Sequence, residues 1–153
     1  MNKHYGSHRG RHQKSSLRLF GVSLVLLCFS SVSMACELPE SLSGRQLLLR
    51  IYGLVSATNP FAESVLEVTF SETTYVLKDL KTGQGYEGQY RYRRFEKDLA
   101  QLTGLEKVGK SKMQYTETYV CETNKTGYYI FSVKQEGIGP KVRQNTGRYI
   151  FQQ

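Results

Sequence analysis

The chain has no tryptophan, only three cysteines, three prolines and three histidines among its 153 residues, and no acidic residue before Glu37. Histidine is confined to His4, His8 and His12. From Cys36 onward, therefore, neither a Ser-His-Asp nor a Cys-His nucleophile arrangement can be assembled. Two cysteines without histidine also fall short of a structural zinc site. The one apolar run of note, residues 19–29, is interrupted by Gly21 and Ser23 and is too short to cross a hydrocarbon core at about 1.5 Å per residue. No stretch of ten or more residues keeps a 3.6-residue apolar period, which argues against a helical architecture. The run Gly83-Gln-Gly85-Tyr-Glu-Gly88 has the form of a phosphate-binding loop, but it leads into a strand pattern rather than a helix. No motif calls for a cofactor or a metal ion.

Charge is unevenly placed. Lys3, Arg9, Arg11, Lys14 and Arg18 all precede Ala35, and without those five the formal charge falls from +8 to about +3. That removes the main support for a nucleic-acid partner. The basic stretch 1–18, the apolar run 19–29 and the small residues Ser33 and Ala35 are the three regions of a secretory signal. We expect residues 1–35 to be a cleaved signal peptide, 36–43 a lead-in and 44–153 one domain that works in the periplasm or outside the cell. Histidines four apart in the first stretch read as a metal-binding tract only if that stretch is retained. Cys28 lies in the apolar run, so Cys36 and Cys121 are the cysteines left after cleavage. A disulfide between them suits an oxidising compartment; lipidation of Cys36, with the membrane association it brings, is the alternative.

What remains is strand after strand. Short runs of β-branched and aromatic residues occupy 46–54, 64–70, 73–78, 86–95, 98–105, 113–122, 128–135 and 148–152, and the links between them carry Asn, Gly or Pro. Leucines at 99, 102 and 105 are too few to make the fifth run a helix. Three copies of a Gly-x-aromatic-x-aromatic pattern (Gly88-Tyr90-Tyr92, Gly127-Tyr129-Phe131, Gly147-Tyr149-Phe151) put paired rings on one face of a strand, with a glycine suited to a bulge or bend before each. Eight short strands on mostly short links close most economically as an all-β, eight-stranded antiparallel up-and-down barrel. A two-sheet sandwich is the alternative, and it needs longer crossovers.

The segments Leu66-Glu-Val-Thr-Phe70, Tyr75-Val-Leu77, Gly88-Gln-Tyr-Arg-Tyr92, Gly127-Tyr-Tyr-Ile-Phe131 and Gly147-Arg-Tyr-Ile-Phe151 resemble small calycin-like barrels of the molybdenum cofactor biosynthesis protein F type, over about Gly44 to Phe151. The resemblance implies a lipocalin-like barrel with a central cavity and little about activity. The Gly-x-Trp signature of true lipocalins is absent.

Strand parity supplies a candidate site. If Tyr90, Tyr92, Tyr115, Tyr119, Tyr129 and Tyr149 share one interior, Glu117 faces it with Tyr115 and Tyr119, and Arg94 faces it with Tyr90 and Tyr92. A buried carboxylate needs a partner, and Arg94 or Arg50 is the expected one, unless the arginine meets an anionic ligand instead. Arg91 and Arg93 should face outward. Two functions from different classes follow: a non-enzymatic barrel binding a small amphipathic or anionic ligand, and a protein-interaction module that docks through loops and the basic 91–97 stretch. Carboxylate catalysis by a pair drawn from Glu67, Glu72, Glu87, Glu117 and Glu122 is a third, since no spacing brings two of them together. Asn124-Lys125-Thr126 fits a glycosylation sequon.

Overall fold

The computed structural model describes residues 36–57, 59–108, 111–134 and 142–152; the expected signal peptide lies outside them. The described chain is all-β. Strands β1 (Gln46–Ile51), β2 (Val65–Phe70), β3 (Thr74–Asp79), β4 (Gly85–Arg94), β5 (Leu99–Val108), β6 (Ser111–Cys121), β7 (Thr126–Lys134) and β8 (Val142–Phe151) each pair antiparallel with the next. β8 returns to β1, Leu47 opposite Phe151 and Ile51 opposite Gly147, and closes the barrel. The architecture is compatible with a calycin-like fold.

Alternation builds the interior. Leu47, Leu49 and Ile51 of β1, with Leu66, Val68 and Phe70 of β2, point inward and are buried, whereas Arg50 and Thr69 between them are exposed. The same parity turns Tyr75, Tyr90, Ala100, Leu102, Tyr115, Tyr119, Tyr129, Val133, Tyr149 and Phe151 inward. Arg91 and Arg93 face out.

Gly88, Gly127 and Gly147 of the repeat have a use that differs from the expected bulge, and the inward Gly104 shares it. The registers of β3–β4, β5–β6 and β7–β8 run unbroken through Gly88, Gly104, Gly127 and Gly147, and directly opposite these stand Tyr75, Tyr115, Tyr149 and Tyr129. A Cβ on any of the four would come within 2.1 to 2.6 Å of the facing tyrosine. Each glycine is therefore the seat over which the ring from the paired strand passes along the barrel wall. These four tyrosines fit inside so small a barrel because the wall is thinned where their rings pass.

One end of the barrel is capped by the segment that precedes β1. Leu38 and Leu42, each 1% exposed, cover the core there, and Leu38 N donates to Lys97 O at 2.7 Å. Cys36 is disulfide-bonded to Cys121 at the end of β6, so of the two fates open to Cys36 the structure has the cross-link. The expected lead-in is thus a plug, and Gly44, at φ 73°, turns it into β1.

Three strands end where the sequence pattern does not place them, β5 among them, which runs on to Val108 rather than stopping at 105. β1 stops at Ile51 rather than at 54, because Gly53 at φ 100° bends the chain and leaves Leu54 and Val55 exposed. β8 begins at Val142 rather than 148; its first half, Val-Arg-Gln-Asn-Thr-Gly, has no apolar alternation to announce it.

Candidate functional site

A cavity of about 340 Å³ occupies the end of the barrel opposite the plug. Its floor and walls come from inward positions: Leu49 and Ile51 of β1, Leu66 of β2, Leu77 of β3, Tyr115 and Glu117 of β6, Tyr129 and Phe131 of β7. Nearer the end of the barrel stand Tyr86, Glu106, Met113, Arg143 and Asn145, together with Phe61 from the β1–β2 connection. Phe61 and Tyr86 meet edge to face, their ring centroids 5.7 Å apart.

Of the eight residues expected to form the site, Tyr115, Glu117 and Tyr129 line this cavity. Tyr119 and Tyr149 are almost fully buried in the core between the cavity and the plug, with rings edge to face at 5.3 Å. Tyr90 donates its hydroxyl to Ser71 O at 2.7 Å, and Tyr92 donates to Pro39 O of the plug at 3.0 Å. Arg94 is committed to the plug as well. Its guanidinium bonds Leu38 O at 2.7 Å and Glu37 at 2.8 Å and pairs with Glu40. The expected partnership of Glu117 with Arg94 or Arg50 does not form: Arg94 is held at the capped end, and Arg50 is on the outer face because β1 turns Leu49 and Ile51 inward.

Glu117 instead receives a hydrogen bond from the Tyr119 hydroxyl on Oε2. Glu106, which sequence reasoning missed, receives one from the Tyr75 hydroxyl on Oε1 at 2.5 Å; Tyr75 reaches it by lying across Gly88, the residue paired with both. Neither carboxyl has an ion-pair partner among the described residues. Arg143 shares the cavity lining but lies over the Phe131 ring, 5.7 Å from its centroid, and its buried Nε has no hydrogen-bond partner among the described residues. The cavity thus holds two carboxyls and a guanidinium that do not neutralise one another within an otherwise apolar wall.

Burial is the main cause that pushes the Glu117 carboxyl up to about 7; the nearby Glu106 adds to this and the Tyr119 hydroxyl opposes it. Burial likewise raises Glu106, against the Tyr75 hydrogen bond. The tyrosine hydroxyls around them stay protonated, raised by burial first and by the two carboxyls second. Unfolding returns Glu117 to about 4.5. Between those values the folded state holds a proton that the unfolded chain releases, so stability falls as pH rises through the window and stays lost above it. A shift of this size corresponds to roughly 3 kcal/mol. Glu117→Gln keeps the acceptor for Tyr119 and removes the charge. By urea unfolding the variant should match the parent within about 1 kcal/mol at low pH, where both are neutral, and exceed it by about 2 to 3 kcal/mol at high pH. An equal gap at both pH values would show that this carboxyl is not the titrating group.

The β4–β5 seam opens beside Glu106. Gly85, Tyr86 and Glu87 pair with β3 alone, since the β4–β5 register starts at Gly88 opposite Glu106. A second hollow there, of about 900 Å³, is lined by inward residues, Tyr75, Tyr86 and Glu106, and by outward ones, Val76, Glu87 and Lys107. An intact wall would keep the two sets apart.

No family model, curated protein or solved structure matches the chain.

Proposed function

We propose that this chain is exported and acts, without catalysing a reaction, as a carrier of a small amphipathic or anionic molecule held in the barrel cavity. The observation that carries this reading is the cavity itself. Its volume of about 340 Å³ falls in the range of small-molecule sites, and aliphatic and aromatic walls with a few convergent polar groups are the usual form of such a site. The Cys36–Cys121 disulfide is compatible with an oxidising compartment. The signal-like residues 1–35 supply the export half of the proposal.

Leu77 is half-buried at the cavity edge, so a larger ring there fills space at little cost to the core. Native mass spectrometry of the protein purified from its own host should show a bound small molecule, which Leu77→Trp should lose while keeping its far-ultraviolet circular dichroism. A mass free of ligand in both proteins, or ligand retained by the variant, would remove the carrier reading. A second reading then takes its place: Leu54, 81% exposed, and Val55, 61% exposed, form an apolar tip of the kind that docks on a protein partner.

A further inference from the structure

The cavity lining has a sidedness that the carrier reading does not use. Glu117 and Glu106 stand on the adjacent strands β6 and β5, whereas Arg143 stands on β8, beyond β7. Glu117 is 8% exposed. Only its Oε2 is engaged, by Tyr119; Oε1 has no hydrogen bond among the described residues, and the side chain lines the cavity. Glu106 repeats the arrangement, with Oε1 held by Tyr75 and Oε2 left without a bond. Each carboxyl is thus positioned by a tyrosine whose hydroxyl is already spent, and each keeps one oxygen for something else. A buried carboxylate without a counter-cation is costly, and a charge-assisted N–H donor is what relieves it. None of the described cationic side chains provides one. Across the barrel from the two carboxyls stand Leu49 and Ile51 of β1 and Leu66 of β2, a wall suited to an apolar or aromatic body.

We propose that the ligand is a small aliphatic or aryl-alkyl amine, its protonated nitrogen seated at the free oxygen of Glu117, with Glu106 two inward positions nearer the open end of the barrel, and its apolar body against the Leu49 and Leu66 side of the cavity. The proposal rests on the carrier reading, keeps its amphipathic ligand, sets aside the anionic one and assigns a cationic head group. Three probes of one shape and different charge test it: 2-phenylethylamine, 2-phenylethanol and 3-phenylpropionate, titrated by NMR into the full domain with its disulfide intact. The pH should be about 8, where carboxyls ionise and the ammonium persists. The amine should bind at least about tenfold more tightly than the alcohol, with the carboxylate weakest, and Glu117→Gln should bring the amine down to the alcohol while leaving the alcohol unchanged. Alcohol or carboxylate binding as well as the amine overturns the amine assignment and leaves the carrier reading in place. Shifts in cavity residues from none of the three overturn both. Amine binding that Glu117→Gln leaves intact places the nitrogen elsewhere and overturns the proposal.

Discussion

Replacing Cys36 and Cys121 together by alanine is expected to lower the stability of the domain by about 4 kcal/mol and its melting temperature by about 15 °C, with the barrel still formed. The two cysteines are 85 residues apart. Cross-linking so long a loop removes much of the conformational freedom of the unfolded chain, and that is where most of the effect originates. The folded state loses less. The plug keeps its contacts to Arg94, the backbone bond from Leu38 to Lys97 and the bond from Glu37 N to Asn124 Oδ1 at 2.8 Å, so Leu38 and Leu42 should stay over the core. Reductant added to the parent protein should reproduce the shift seen in the double variant. A loss under about 1 kcal/mol in thermal or urea unfolding would mean that the unfolded chain already holds its ends together.

Gly147→Ala should rank with Gly127→Ala as the most damaging single methyl group in the barrel, each new Cβ falling 2.1 Å from a backbone carbonyl oxygen. In Gly147→Ala it would stand 2.1 Å from Arg50 O and 2.5 Å from the Tyr129 ring. The ring can shift into the cavity it lines, but the carbonyl belongs to the β1–β8 ladder, where Gly147 opposes Ile51, and can move only if the seam opens. Overpacking of this kind typically costs about 1 to 3 kcal/mol, more when backbone is the obstacle. We expect a loss of about 3 kcal/mol and about 10 °C in melting temperature. Gly85→Ala is the control, because its Cβ would meet nothing nearer than Leu77 O at 3.8 Å; it should lie within about 0.5 kcal/mol of the parent. Equal melting temperatures for the two variants would show that the glycine seats are not obligatory.

Eight strands, their antiparallel closure and the Cys36–Cys121 pairing were legible because each leaves a local mark: apolar alternation, turn residues between runs, and two cysteines outside the expected leader. The site was legible only across the barrel wall. Parity tells which side of a strand a residue faces, and on that score Tyr115, Glu117, Tyr119 and Tyr129 are where the pattern puts them. Parity is silent on height along the barrel, which depends on the register of all eight pairings, so Arg94, Tyr90 and Tyr92 share the inner face without sharing the cavity. Glu106 was missed because the fifth apolar run fades at Leu105, one residue short of it. Arg143 and Asn145 were missed because a strand that lines a partly polar cavity lacks the alternation by which strands are recognised. The tyrosine repeat was visible, but its glycines could be matched to their rings only from cross-strand register, which no single segment carries.

The β1–β8 pairing that closes the barrel also bears on how the chain folds. β2 through β8 each find a neighbour across a link of a few residues or one loop, whereas Leu47 must find Phe151 at the other end of the domain. Such non-local pairing places the barrel among slow folders, in the millisecond to second range. With Cys36 already tied to Cys121, the path from Leu47 to Phe151 through the cross-link is less than half the path along the chain. Closure then starts from a smaller entropic deficit, and oxidation before the last hairpin docks becomes the faster order of events.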